Sequence, residues 1–394
     1  MKYTNVAIPA GSVWSSPFVR WQGVLADVSS LDLAAAVTTR ALSDRSIDVT
    51  MVDEVVLGLT IPQQGSFFGA PTLAARIGIP GVTGPMVAQA CATGVAALHA
   101  AAATVSGGGG VNLVVTTDRT SNGPSLIYPA SSSIGGSPTV ENLVQENFAR
   151  DPWAGTSMLA AAELVASENG VTRSELDDVA ALRFEQYQSS FADDRAFQRA
   201  YLVPVEVFQG RRSVMVEEDT GIRSKYREDI APLRPVVEDG LHTGATQTHP
   251  ADGAAGALVT TLERAREISG GAVIEIVSSG FARVERSHMP EAPVPAAMTA
   301  LADAGLTMAD VDAVTTHNPF AVNDVIFSRA TGRDLDKMNN HGCSLIWGHP
   351  QAPTGTRAVA ELITELTQRG GGVGLFTGCA AGDTAGALVV RVQD

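Results

Sequence analysis

The chain has 394 residues, of which 45% are hydrophobic and 18% charged, a composition typical of a globular protein with two or three domains. The formal net charge of −15 argues against a nucleic-acid binder, because such proteins need a basic face. The three cysteines, Cys91, Cys343 and Cys379, have the spacing neither of a disulfide framework nor of a metal site, which favours a reducing, cytoplasmic setting.

No segment predicts a secretion leader or a membrane span. Residues 1–14 lack a charged region followed by an apolar run. Residues 86–105 come nearest to the length of a span, but Gln89, Thr93 and His99 interrupt them and alanine dominates. The stretch therefore predicts a buried core helix.

The first third of the chain alternates predicted helices and strands. Residues 31–42 place apolar side chains at helical spacing, and residues 53–58 form an apolar run typical of a buried strand. The helix at Cys91 follows, ends near the glycines of residues 107–110 and leads to a second buried strand at residues 111–115. This order predicts an α/β unit.

The last third repeats the order of the first. Residues 294–317 predict a helix, a turn and a strand, and residues 353–378 predict a helix, a glycine run and a strand. Three matched elements lie at a nearly constant offset of about 260 residues, which indicates a duplicated α/β half. The alternative is that any two α/β units show such likeness.

The middle of the chain differs in composition, since it is richer in charge, serine and proline. We predict an N-terminal half over residues 1–119, an inserted domain over 120–245 and a C-terminal half over 246–394. The strand that rejoins the N-terminal half is expected near residues 251–265.

Four segments carry side chains suited to covalent chemistry. Cys91 precedes a predicted helix, His317 follows a predicted strand, His349 lies in a Gly-His-Pro turn and Cys379 lies in a glycine-flanked turn. Strand ends and helix starts are where α/β sheets build their sites, so we expect these side chains to converge. Two cysteines and two histidines suit acyl transfer, with one thiolate as nucleophile and one thiol as acid or base.

These motifs resemble the thiolase family over nearly the whole chain. Thiolases carry a nucleophilic cysteine at a helix start, a Gly-His-Pro histidine followed by Gly-x-Arg, a late cysteine in a glycine turn and a four-residue loop ending in Phe. The resemblance implies a five-layered α-β-α-β-α fold of two duplicated halves with an inserted loop domain over coenzyme A. It also implies a homodimer or homotetramer.

The implied reaction is thiolytic cleavage of a 3-ketoacyl-CoA, or the reverse Claisen condensation. By resemblance Cys91 carries the acyl group, His349 and His317 assist it, and Cys379 moves the α-proton. Backbone N–H groups of Cys91 and Ala381, together with Asn318, are implied as oxyanion donors. The resemblance further implies that the substrate-contacting residues are Thr248, Arg223 and Phe320, that coenzyme A is a substrate, and that no resident cofactor or metal is needed.

Several positions depart from the family pattern. The loop reads His-Asn-Pro-Phe over residues 317–320 and lacks the usual acidic residue, and Trp153-Ala154 replaces a common His-Met pair. The alternatives are a ketoacyl-synthase-like condensing enzyme, which needs no second cysteine, and a thiolase-like aldolase, which need not keep Cys91. A non-catalytic acyl-CoA-binding or scaffold protein of the same fold is a third alternative.

Overall fold

Two mixed β-sheets form the framework of the protein, as seen in a computed structural model that describes residues 1–121 and 123–393, without the side chain of residue 209. The strands are β1 (Ala7–Pro9), β2 (Val13–Ser15), β3 (Val19–Arg20), β4 (Glu54–Gly58), β5 (Met86–Val87), β6 (Asn112–Arg119), β7 (Ser125–Tyr128), β8 (Thr139–Asn142), β9 (Val205–Gln209), β10 (Arg212–Val216), β11 (Ala251–Val259), β12 (Val273–Arg283), β13 (Ala313–His317), β14 (Gly372–Ala380) and β15 (Thr384–Gln393).

Helices cover both sheets and lie between them. They are α1 (Ser30–Asp44), α2 (Gly69–Arg76), α3 (Thr93–Ser106), α4 (Leu143–Ala149), α5 (Met158–Glu168), α6 (Arg173–Ser189), α7 (Ala192–Arg199), α8 (Arg227–Ile230), α9 (Leu262–Ser269), α10 (Pro293–Ala304), α11 (Ala321–Thr331), α12 (Ser344–Trp347) and α13 (Ala352–Gln368). Within the described ranges, no helix has the length and apolar character needed to cross a bilayer.

The two sheets have matching strand orders, which confirms the duplication predicted from the sequence. The first sheet runs β2-β11-β6-β4-β5, with β3 also paired to β11, and the second runs β1-β12-β15-β14-β13. In the first sheet β4 and β6 are parallel and β11 is antiparallel to β6, and β13, β14 and β15 repeat this arrangement in the second. Each half is therefore one copy of the same α/β unit.

The layers follow the order α-β-α-β-α, as expected. Helix α1 packs on the outer face of the first sheet and α10 on the outer face of the second, while α3 and α13 lie between the sheets. Every residue of α13 from Ala352 to Leu366 is buried, including charged ones. A helix buried on all sides belongs to the centre of a domain, so α3 and α13 form the middle layer.

The predicted helix over residues 86–105 is wrong at its start. Met86 and Val87 pair with Leu57 and Gly58 as a short parallel strand, and the helix begins only at Thr93. Ala90 has a φ of 44°, a left-handed conformation that interrupts any regular element before Cys91. The nucleophile candidate thus lies in a tight turn ahead of the helix rather than inside it.

The segment between the halves forms its own elements. It contains the β7–β8 hairpin, helices α4 to α8 and the β9–β10 hairpin. Strand β11 then enters the first sheet between β2 and β6. The domain boundaries themselves stay predictions.

The middle layer is held by a close crossing of α3 and α13 at two glycines. A Cβ built on Gly94 would lie 2.7 Å from the backbone N of Thr356 and 2.8 Å from the carbonyl O of Ala352. A Cβ on Gly355 would lie 3.6 Å from the Cα of Gly94. The two helices therefore touch backbone to backbone at Gly94, where there is no room for a side chain.

We expect Gly94→Ala to lower the free energy of unfolding by roughly 1–3 kcal/mol, because the added methyl group overpacks the helix crossing. Gly107→Ala is the matched control, since its Cβ meets only Ala103 and Thr104 oxygens at 3.4 and 3.5 Å on the same helix. Urea unfolding measured by circular dichroism compares the two variants. Equal stability of both would contradict the close crossing.

Candidate active site

The four predicted segments converge at one point of the central layer. Cys91 lies two residues before the start of α3, and His349 lies between α12 and α13. His317 is the last residue of β13, and Cys379 lies near the end of the parallel strand β14. The carboxyl ends of adjacent parallel strands thus meet the starts of the two central helices, as expected for a site in an α/β fold.

The Cys91 thiol is neutral in the resting protein. Although the residue as a whole is partly exposed, burial of the sulfur raises the pKa of Cys91 to about 11. Backbone N–H groups of Ala381 and of Cys91 itself face the sulfur and partly oppose this effect. Desolvation outweighs the N–H groups, so the thiol keeps its proton until substrate binds.

The Cys91 S–H group donates to an acceptor that the sequence did not reveal. The Sγ–H of Cys91 donates to Oε1 of Gln351 at 3.2 Å. Gln351 is buried and has a φ of 74° and a ψ of −103°, a conformation that side-chain-bearing residues rarely adopt. The Gln351 amide is also close enough to His349 to favour the protonated form of that imidazole.

Two imidazole rings lie face to face beside Cys91. The centroids of the His317 and His349 rings are 4.1 Å apart, with planes tilted by 33°. One ring nitrogen of each histidine and the Cys91 Sγ all lie within 4.8 Å of one another. The sequence predicted that these segments converge, but their spacing along the chain could not give the distances between the side chains.

Each histidine is oriented by a hydroxyl group. Nδ1 of His349 is hydrogen-bonded to Oγ1 of Thr354 at 2.6 Å, and Nδ1 of His317 to Oγ of Ser344 at 2.8 Å. Both Nε2 atoms are buried without a hydrogen-bond partner among the described residues. These bonds fix the rings so that Nε2 is the free nitrogen of each.

Burial keeps both imidazoles uncharged. Burial lowers the pKa of His349 to about 3. Burial also lowers the pKa of His317 well below its ordinary value, and the adjacent His349 lowers it further. Neutral rings at pH 7 are the form that accepts a proton from a thiol.

Cys379 is the second thiol of the site. Its sulfur is fully buried and accepts a hydrogen bond from Nδ2 of Asn323 at 3.3 Å. Burial raises the pKa of Cys379 well above its ordinary value, and the proximity of Cys91 raises it further. The two thiols are therefore close enough for the charge on one to disfavour the charge on the other.

The structure corrects the oxyanion role predicted for Asn318. Its Nδ2 donates to Asp324 at 2.7 Å and to the sulfur of Cys343 at 3.3 Å, and its Oδ1 accepts from Leu345 N. Asp324 is in turn paired with the fully buried Arg183 at 2.8 Å. Both amide protons are committed, so Asn318 holds the His317 loop in place instead of facing the site.

The predicted substrate-contacting residues lie in two places. Thr248 and Phe320 are beside the His317 loop, since Thr248 N donates to the carbonyl of Pro319 at 2.7 Å and Phe320 is buried at the start of α11. Arg223 lies on the surface of the inserted segment, at a cavity of about 320 Å³ also lined by Tyr187 and Tyr226. Their contact with substrate stays a prediction.

Asp118 is a further buried acid near the thiol that the sequence analysis did not single out. It accepts backbone hydrogen bonds from Ile61 and from Ala352, the first residue of α13, at 2.8 Å each. Burial raises the pKa of Asp118 to about 7, and its proximity contributes to the raised pKa of Cys91. The residue joins the end of β6 to the start of α13, a link between the halves that no local pattern encodes.

We expect the alkylation of Cys91 by iodoacetamide to accelerate about tenfold per pH unit from pH 7 to about pH 10, because only the thiolate reacts and its pKa is raised. Mass spectrometry of the Cys91 peptide measures the rate, with circular dichroism at each pH to verify folding. The same peptide in guanidinium, where the rate should level off near the ordinary thiol pKa, is the control. A plateau near neutral pH in the folded protein would show a Cys91–imidazolium ion pair instead.

Comparisons with known proteins agree with this arrangement. Sequence models of the thiolase N-terminal domain and the thiolase C-terminal domain match residues 12–263 and 271–392. The chain is 27% identical to an acetyl-CoA acetyltransferase of Synechocystis sp. over 95% of this chain and 96% of that protein. It is 29% identical to a 3-ketoacyl-CoA thiolase of Alteromonas mediterranea over 99% of this chain and 97% of that protein.

Solved structures show the same fold. The crystal structure of the Bacillus anthracis acetyl-CoA acetyltransferase superposes with a TM-score of 0.92 at 26% identity and covers 99% of each chain. Human mitochondrial 3-ketoacyl-CoA thiolase superposes with a TM-score of 0.89 at 23% identity, over 98% of this chain and 99% of that one. With both domains matched along nearly its full length, the chain belongs to the thiolase family.

Proposed function

We propose that this protein is an acyl-CoA acyltransferase that cleaves 3-ketoacyl-CoA by thiolysis or forms it by Claisen condensation, through an acyl group carried on Cys91. The observation that carries the proposal is the cluster of the Cys91 sulfur with two neutral imidazoles, beside a second thiol at Cys379. The names of the relatives, acetyl-CoA acetyltransferase and 3-ketoacyl-CoA thiolase, support the same reaction.

The first half-reaction transfers the acyl group to Cys91. As Sγ attacks the thioester carbonyl, Nε2 of His349 accepts the S–H proton and later returns it to the departing CoA sulfur. The N–H groups of Cys91 and Ala381, which face the sulfur, are placed to donate to the carbonyl oxygen as it gains charge. Because thiol and imidazole both start neutral, proton transfer and attack proceed together.

The second half-reaction uses Cys379 as acid or base. In condensation Cys379 passes its S–H proton to the neutral His349, the resulting thiolate removes the α-proton of the second acyl-CoA, and the imidazolium then protonates the Cys91 sulfur as the acyl group leaves it. In thiolysis the same transfers run in reverse, and the Cys379 thiol returns a proton to that carbon. The high pKa of Cys379 makes its thiolate a strong base for a weakly acidic C–H bond. Asn323 orients the sulfur through its amide.

The competing enzyme classes fit the site less well. A ketoacyl-synthase-like enzyme needs no second thiol, whereas Cys379 is buried at the end of β14, within electrostatic reach of Cys91. A thiolase-like aldolase need not retain Cys91, which here contacts Gln351 and the two imidazoles. A protein that only binds acyl-CoA does not require the two thiols and two imidazoles of this site.

We propose that coenzyme A is a substrate and that acyl transfer needs no resident cofactor, since the two thiols and two imidazoles supply the nucleophile and the proton transfers. Thr248, Phe320 and Arg223 are the proposed contacts to the acyl-CoA. The three cysteines are free, which supports a reducing compartment such as the cytoplasm.

We expect the intact protein to gain the mass of one acetyl group after mixing with acetyl-CoA or acetoacetyl-CoA. Cys91→Ala should lose this adduct, because no other thiol lies at the start of α3. Cys379→Ser should keep the adduct, but its rate of acetoacetyl-CoA formation should fall by a factor of at least about 100, since a hydroxyl is a poor proton acceptor.

Cys343→Ser is the matched control, because this third cysteine is buried against Asn318 outside the site. It should form the adduct and turn over as the parent does. An adduct that persists in Cys91→Ala, or no adduct with either thioester, would overturn the proposed acyl-enzyme.

We also propose that the protein is a homo-oligomer. Strand β5 is the last strand of its sheet, and beside it Phe67 and Phe68 are 85% and 69% exposed. The β7–β8 hairpin exposes Ile127, Ile134 and Val140. An open sheet edge flanked by large exposed apolar side chains is typical of a surface that pairs with a second copy.

Light scattering after size exclusion should give a mass of two or four chains. The double variant Phe67→Ser, Phe68→Ser should shift the mass toward one chain, because it removes apolar area beside the sheet edge. Met298→Ser is the control, since Met298 is exposed on α10 on the other sheet. A monomeric parent protein would contradict the proposal.

A further inference from the structure

Cys91, His317 and His349 form a set of three metal-ligand side chains. One ligand atom of each lies within 4.8 Å of the others. The relative exposures of His317 and His349 are 1% and 5%, and the ring nitrogen without a partner in each is Nε2. Two unpaired buried nitrogens next to a thiol are costly unless something occupies them for part of the time.

The donor set matches zinc in number and chemistry. One thiolate and two neutral imidazoles are three of the four ligands of a tetrahedral zinc site, and three protein ligands leave one position open. Oε1 of Gln351 lies 3.2 Å from the Cys91 sulfur. Magnesium and calcium prefer sets made of oxygen, so nitrogen and sulfur donors exclude them.

The surroundings of the histidines are those that metal-binding histidines require. Ser344 and Thr354 hold the two Nδ1 atoms, and this fixes each ring with Nε2 free. Hydrogen bonds to the second ring nitrogen orient a metal-bound imidazole and raise its affinity. The cluster is thus preorganised before an ion arrives.

We propose that Cys91, His317 and His349 bind one Zn²⁺ ion when no acyl-CoA occupies the site, and that the bound ion reversibly inhibits acyl transfer. As the Zn–S bond forms, the Cys91 proton leaves to solvent, and no oxidation state changes. The metal occupies the sulfur lone pair that attacks the thioester, so acylation stops until the ion is removed. The ion binding itself needs only the three ligands and does not depend on the proposed acyl transfer.

His317 distinguishes this site from a simple catalytic cysteine–histidine pair. Without it, Zn²⁺ would have two protein ligands and bind weakly. His317→Asn therefore removes one ligand and keeps Cys91, His349 and the fold-supporting partners of the loop.

The test titrates the metal-free protein with Co²⁺ as a spectroscopic probe and then with Zn²⁺ in competition. We expect one ion per chain, a near-ultraviolet sulfur-to-cobalt charge-transfer band and strong visible bands of a four-coordinate ion. Cys91→Ser should abolish the charge-transfer band, and His317→Asn should weaken Zn²⁺ binding by at least about tenfold. His288→Asn is the control, since His288 pairs with Glu168 outside the cluster.

A second readout links binding to inhibition. Zn²⁺ should prevent alkylation of Cys91 by iodoacetamide, a chelator should restore it, and His317→Asn should need at least tenfold more Zn²⁺ for the same protection. Absence of the charge-transfer band, or equal Zn²⁺ affinity in His317→Asn and the parent, would overturn the zinc site. A normal cobalt spectrum without an acetyl adduct would refute the acyl-enzyme alone, and an adduct without metal binding would refute the zinc site alone.

Discussion

The contact between α3 and α13 at Gly94 and Gly355 is the constraint on which the site depends. Cys91 lies just before one of these helices and His349 just before the other, so the crossing determines how far the sulfur is from the imidazole. The sheets on either side bring His317 and Cys379 to the same point through adjacent parallel strands. The distance between groups from the two halves is therefore fixed by a contact between backbones, which has no side-chain rotamers that could vary it.

The electrostatics of the site follow from burial. Desolvation raises the pKa values of Cys91 and Cys379 and lowers those of His317 and His349, so the resting cluster carries no charge. Negative charge develops only during the reaction, on the oxygen of the bound thioester carbonyl near the N–H groups of Cys91 and Ala381. A neutral resting site also avoids the cost of burying an ion pair before substrate binds.

Much of the fold was predictable because its cues are local. Helix α6, Arg173–Ser189, begins at a capping box formed by Thr172 and Glu175, a signal contained in four consecutive residues. The roles that depend on long-range contacts were not predictable. Asn318 was assigned to the oxyanion site from the resemblance of its loop, which does not reveal that Asp324 and Cys343 take up its amide protons. Gln351 was overlooked because a contact with a residue 260 positions away leaves no pattern in its own neighbourhood.

The crossing at Gly94 and Gly355 has a consequence for how such a protein diverges. The contact is made by backbone and requires glycine at position 94, where an added Cβ would lie 2.7 Å from the backbone N of Thr356. The inserted segment that borders the proposed acyl-CoA contacts can then change its surface without altering the spacing of sulfur and imidazole. A chain 26% identical to the Bacillus anthracis enzyme still superposes on it with a TM-score of 0.92. The distance between the catalytic sulfur and imidazole and the surface that contacts the substrate therefore depend on different parts of the chain.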